Sequence, residues 1–158
     1  MPPSSPAIQD RYPSDVAHCF GCGRLNLQGH RLQTRWDGDE TVSRFTPEPY
    51  HTAIPGYVYG GLIASLVDCH GTGTAAAASA RAQGLGDDEP APRFVTASLT
   101  VDYLKPTPLG PELEIRGRAV ETGARKVVVE ATVAAEGRVT ARGRVVAVRM
   151  PEELIGGS

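Results

Sequence analysis

Between Gly60 and about Arg81 the chain carries its one long helical stretch, and that stretch is built to be surrounded. Leu62, Ile63, Leu66 and Val67 recur at helical spacing, and the alanine run that follows continues the helix. The opposite side is made of small residues, Gly61, Ala64, Ser65, Gly71, Thr72 and Ala75, which allow other backbone to approach closely. Everything beyond it reads as strand. Phe94 to Leu104, Glu112 to Glu121, Arg125 to Ala135 and Arg138 to Arg149 are valine-rich with period-two stretches. Leu109-Gly110-Pro111, Thr122-Gly123-Ala124 and Glu136-Gly137 supply the turns between them. Ahead of the helix, Arg31 to Trp36 and Glu40 to Phe45 alternate loosely around Asp37-Gly38-Asp39 and predict a first hairpin. The predicted class is therefore α+β, an antiparallel sheet of about six strands wrapped around one long central helix.

The remaining segments bound the domain. Residues 1–15 hold four prolines and no periodicity, which predicts a flexible lead, and the domain is expected over 16–150 with a frayed tail at 151–158. Thr46 to Pro55 carries three prolines and reads as loop, as does the polar run Gly84 to Pro92. With 158 residues, 41% hydrophobic and 22% charged, the chain can build a core without disulfides or metal. A formal net charge of -2 argues against a general nucleic-acid surface. Three unevenly spaced cysteines do not make a secreted disulfide framework, the start lacks the pattern of a signal peptide, and no apolar run reaches a membrane span. A soluble cytoplasmic protein is expected.

Chemistry concentrates in Pro55 to Asp68. Gly60 and Gly61 fall where loop becomes helix, and with no Cβ atoms there the first-turn N–H groups stay open to a ligand. Those donors, with the positive end of the helix dipole, suit a carbonyl oxygen that gains negative charge. Two turns on, Asp68 interrupts the apolar run. Taken alone, its spacing describes a solvated side chain or a cap on a neighbouring strand equally well.

The combination resembles the signature of hotdog-fold acyl-CoA thioesterases of the phenylacetate-degradation type, in which His-Gly-Gly precedes an aspartate on the same helix. Here the match is Tyr59-Gly60-Gly61, the intervening Leu62 to Val67, then Asp68. Two further stretches are similar to the family: Cys19-Phe20-Gly21-Cys22-Gly23 with Asn26 and Gly29, and Phe94 to Pro106 with its Tyr103-Leu104-Lys105-Pro106 ending. The resemblance covers about residues 18 to 149. It implies that the Gly60 N–H, helped by Gly61, polarises a thioester carbonyl, that Asp68 is general base or nucleophile, and that Thr96 positions water. It also implies a homodimer, or a dimer of dimers, in which each site takes its glycine from one subunit and its aspartate from the other. Acyl-CoA would be the substrate, and no cofactor is expected.

The departures are specific. Tyr59 stands where the family has histidine and Ala53 where it often has asparagine or glutamine, which leaves His51, Tyr57 or His70 to replace the lost polar groups. Tyr50, Tyr57 and Tyr59 suggest a bulky acyl lining, while Arg125 and Lys126, with Arg93 and Lys105 as further candidates, would meet the phosphates of coenzyme A. Cys19 and Cys22, near His18 and His30, form half of a zinc pattern that Cys69-His70 would have to complete from inside a helix. On that ground no metal ligand is assigned, and the pair reads as semi-buried thiols in a tight turn. Hydrolysis is the leading reading. The alternatives are a non-catalytic acyl-CoA or lipid binder and, on the Asp68-x-His70 pair, an enoyl-CoA hydratase.

Overall fold

Alternation along the last strands decides which side of the sheet meets the helix. The computed structural model describes residues 5–151 and 154. After 3-10 turns at Ile8–Arg11 and Ser14–Val16 come β1 (Arg35–Asp37), β2 (Glu40–Phe45), α1 (Gly60–Ala82), β3 (Phe94–Tyr103), β4 (Leu113–Thr122), β5 (Lys126–Ala135) and β6 (Arg138–Arg149). They form one antiparallel six-stranded sheet in the order β1-β2-β4-β5-β6-β3. Val127, Val129, Ala131 and Val133 of β5 and Ala141, Val145 and Ala147 of β6 point inward and are buried against α1, while Glu130, Arg142 and Arg144 point out. This is the hotdog arrangement.

Helix and sheet meet through small residues on both sides. A Cβ at Gly71 would lie 2.5 Å from Val145 Cγ2, and one at Gly117 would lie 2.8 Å from His70 Nε2. Gly143 likewise faces Val67 with no room for a side chain. An alanine at any of these three positions overpacks a closed interface.

The first hairpin is shorter than expected on its leading side, because Arg31 turns to φ 52 and the chain reaches the ladder only at Arg35. The larger correction concerns the lead. Ala7, Ile8, Gln9 and Tyr12 are buried, and the segment they belong to lies against α1 and the loop that follows it. Gln9 holds Thr34 twice, accepting from its N–H at 2.8 Å and donating to its Oγ1 at 3.1 Å. Arg24 donates to the carbonyls of Gln9 and Tyr12, and Arg11 donates to those of Gly86 and Glu89. The flexible lead predicted for 1–15 therefore fails over residues 7–12. Prolines forbid a ladder there, yet isolated apolar side chains still dock on a helix that needs a cover on its second side. Residues 1–4 and most of the tail expected at 151–158 lie outside the described residues.

His70 is fully buried on α1 and spends both ring nitrogens on β2, Nδ1 on Ser43 Oγ at 2.6 Å and Nε2 on Thr41 Oγ1 at 3.0 Å. Thr74 and Thr34 extend the same polar seam. Burial lowers the His70 pKa from 6.5 to about 3. Between those values the unfolded chain binds a proton that the folded chain refuses, so stability falls as pH drops through that window. We expect unfolding free energy to fall by about 2 kcal/mol from pH 7 to pH 5. Urea titrations across that range should show the slope in the wild type and a flatter profile in His70→Asn.

Candidate active site

Helix α1 starts without a side-chain cap. Tyr59 is its N-cap residue, with ψ 129°, and the Tyr59 N–H is spent on the carbonyl of His51 at 2.9 Å. Gly60 and Gly61 are the first two helical residues, so their N–H groups have no intrahelical acceptor, and among the described residues they have none elsewhere. Two donors and the positive end of a 23-residue helix thus point out of the fold together.

Two tyrosines frame this end. The Tyr103 hydroxyl donates to the Gly60 carbonyl at 2.7 Å, and its ring lies at ordinary contact distance from Gly60. Burial and the nearby Tyr59 raise the pKa of Tyr103, so it stays a neutral donor. The Tyr59 ring lies across Gly61, where any Cβ would be 2.5 Å from ring carbons. Glycine at 61 is thus what lets the tyrosine fold over the helix start. Sequence reasoning placed Tyr103 only in a similar strand ending. Its bond to Gly60 links residues 43 apart and has no local signature.

Asp68 is half-buried on α1, and the Thr96 hydroxyl donates to its Oδ1. Thr96 precedes a bulge in β3, where the register against β6 shifts between Thr96 and Ser98. The bulge re-aims the strand at the residue that meets the carboxylate. The sequence-predicted pair Asp68 and Thr96 is therefore brought together.

Gly60 and Asp68 are not. Eight residues of helix separate them by about 12 Å, whereas one reacting carbonyl needs donor and base both within about 3 Å. Within one chain the two groups cannot reach the same carbonyl.

The other candidates scatter. His51 accepts from the Glu48 N–H at 2.8 Å and packs among His30, Phe45 and Tyr50. Tyr57 is exposed and bridges to Pro108. Arg125 ends the β4–β5 turn, which lies beside the C-terminal end of α1, and Lys126 opens β5, both far from the same chain's Gly60; Lys126 Nζ lies 3.8 Å from Glu121. His70 faces β2 at the far side of the sheet from the β3 residue that holds Asp68, so Asp68 and His70 do not form a catalytic pair. A groove on the outer sheet face, lined by Arg116, Arg118, Glu130, Arg142 and Arg144, touches neither Gly60 nor Asp68.

The thiols depart from expectation. Cys69, discounted for lying inside a helix, meets Cys19 and Cys22, and the three sulfur atoms lie within 4.8 Å of one another.

The chain is similar to several known proteins. The family model described as Thioesterase superfamily matches residues 55–142, which contain Gly60, Gly61, Asp68 and Thr96. A thioesterase superfamily protein from Shewanella loihica PV-4 has 51% sequence identity, with 85% of this chain and 95% of that one covered and a TM-score of 0.67. The Escherichia coli PaaI protein, from the phenylacetic acid degradation operon, shares the fold at 16% identity, covering 77% of this chain and 81% of its own, with a TM-score of 0.62. Among curated proteins, acyl-coenzyme A thioesterase THEM4 of Xenopus laevis is 36% identical over 86 residues, 54% of this chain. The matched region spans one third of that relative's length, 33%.

Proposed function

We propose that this chain, which belongs to the thioesterase superfamily, is an acyl-CoA thioesterase whose sites are completed between two copies. Asp68 takes a proton from water as the water oxygen attacks the thioester carbonyl. The oxyanion that forms is held by the N–H groups of Gly60 and Gly61 from the other copy. Collapse breaks the carbon–sulfur bond, and the departing thiolate recovers the proton, leaving a carboxylic acid and free coenzyme A. Direct attack by the Asp68 carboxylate, followed by hydrolysis of the anhydride, gives the same products.

The observation that carries this reading is the separation of the half-sites along β3. That strand is one of the sheet's two edges, ten residues long, and exposed from Thr96 to Thr100 and again at Asp102 and Tyr103. A long open edge is a template for another strand. Two-fold antiparallel pairing of β3 centred between Leu99 and Thr100 sets Thr96 of one copy opposite Tyr103 of the other. Thr96 holds Asp68 and Tyr103 holds Gly60, so that pairing assembles base and oxyanion donors from different chains. It also carries Arg125 and Lys126, at the Phe94 end of the sheet, toward the other copy's glycines, where coenzyme A phosphates would lie. THEM4, by its name an acyl-CoA thioesterase, supports the substrate class.

One observation favours a second reading. The Tyr59 ring over Gly61 narrows access to one of the two donors, which suits a protein that binds acyl-CoA without turnover. Purified protein incubated with acyl-CoAs of graded length, with aromatic members included, separates the two through release of thiol. We expect multiple turnovers on at least one member. Saturable binding with no thiol release across the panel would sink hydrolysis in favour of binding.

A further inference from the structure

The three clustered thiols have no part in thioester chemistry. Cys19 and Cys22 sit on the loop that crosses the second side of α1, and Cys69 follows Asp68 on the helix itself. Cys19 Sγ and Cys69 Sγ are 3.9 Å apart. Tetrahedral zinc with sulfur ligands at about 2.3 Å sets its sulfurs about 3.8 Å from one another, whereas a disulfide needs about 2.05 Å. The spacing is that of co-ligands.

The surroundings are built around this cluster. Gly21 faces Cys69 Sγ so closely that no side chain fits, and Gly23 is hemmed in by the backbone of residues 17–19. The Gly23 N–H donates to the Cys19 carbonyl at 2.7 Å, which closes the Cys19-x-x-Cys22-Gly23 turn tightly.

An independent feature points the same way. Tyr12 is 3% exposed, its hydroxyl has no hydrogen-bond partner among the described residues, and it belongs to the same buried cluster as Cys22 and Cys69, against which Cys19 packs. A buried hydroxyl without a partner is destabilising. A water in the fourth coordination position would give it one. The Arg93 guanidinium, 5.0 Å from the Tyr12 ring centre, offsets the single negative charge that three thiolates and one divalent cation leave.

We propose that Cys19, Cys22 and Cys69 bind one zinc ion per chain, tying the loop over α1 to the helical turn that carries Asp68. Binding releases the thiol protons to water, with no change of oxidation state. Thiolate-rich sites also accept cuprous ion, but the oxygen group at the fourth position suits tetrahedral zinc.

The test uses the full chain purified without a metal-affinity tag under reducing conditions. Elemental analysis should find about one zinc per chain. Chelator-stripped protein titrated with cobalt(II) should develop a thiolate-to-metal charge-transfer band and tetrahedral visible bands, both abolished by added zinc. Cys22→Ser and Cys69→Ala should lose the metal. Should either fail to fold, the wild-type cobalt titration decides alone, and Tyr12→Phe, which keeps every thiol, should retain the charge-transfer band with affinity weakened about 10-fold or more. Absence of zinc together with a featureless cobalt titration overturns the proposal, as does a native mass that reveals a disulfide among the three. None of these readouts depends on thioester hydrolysis, so a chain inactive on acyl-CoA leaves the zinc question intact.

Discussion

Asp68→Asn should lower kcat/KM on the best acyl-CoA substrate by at least about 100-fold while leaving the thermal midpoint nearly unchanged. Asparagine keeps the shape and accepts the same hydrogen bond from Thr96 through its carbonyl oxygen. It cannot take a proton from water and cannot attack as an anion. A loss confined to kcat, with substrate affinity held, identifies a group that acts in the transition state. Continuous thiol release under saturating substrate, beside a thermal melt, checks both halves. Retention of more than a tenth of wild-type kcat would falsify the assignment of Asp68 as base or nucleophile.

Gly60→Pro removes the N–H donor at the helix start and adds three ring carbons. Proline is accepted at the first position of a helix, where its missing N–H is unpaired in any case. Tyr59, at ψ 129°, already has the backbone that a residue before proline adopts. The added ring carbons enter a place where a Cβ meets the Tyr103 ring at 3.5 Å, which is ordinary contact. Stability should therefore hold, while loss of an oxyanion donor lowers kcat about 10² to 10³-fold. If the two variants are inactive because each spoils a different half of a shared site, mixing them should restore activity. Random reassortment into dimers leaves one intact site in each mixed pair, so a refolded equimolar mixture should recover up to about a quarter of wild-type turnover. Failure to recover, with exchange shown by native mass spectrometry, would place both halves within one chain.

The legible part of this molecule was the part governed by period. The small-residue helix and the valine-rich strands declared themselves because every second or every third to fourth residue must face one core, and Gly143, Gly117 and Gly71 sit where that packing is closest. The contact between Asp68 and Thr96 was legible only through the resemblance that singled out both residues. What escaped was long-range and aperiodic. Tyr103 reaches Gly60 across 43 positions, and Cys69 joins Cys19 across 50, so no window of sequence contains either pair. Tyr12 and Ile8 lie among prolines that suggest no packing, yet their burial follows from a helix with a second side to cover. The proposed site is also split between copies, since eight helical residues keep Asp68 from its own chain's glycines.

The docking of the N-terminal segment has a consequence for how the chain is made. Ile8 bonds to Thr34, and Arg11 waits for carbonyls at 86 and 89, more than seventy residues downstream. Residues 8–11 can thus settle only after α1 and the loop beyond it have been synthesised, because their seat is made from them. Until then Ile8 and Tyr12 have no core to enter, and an early segment is fixed by a late one.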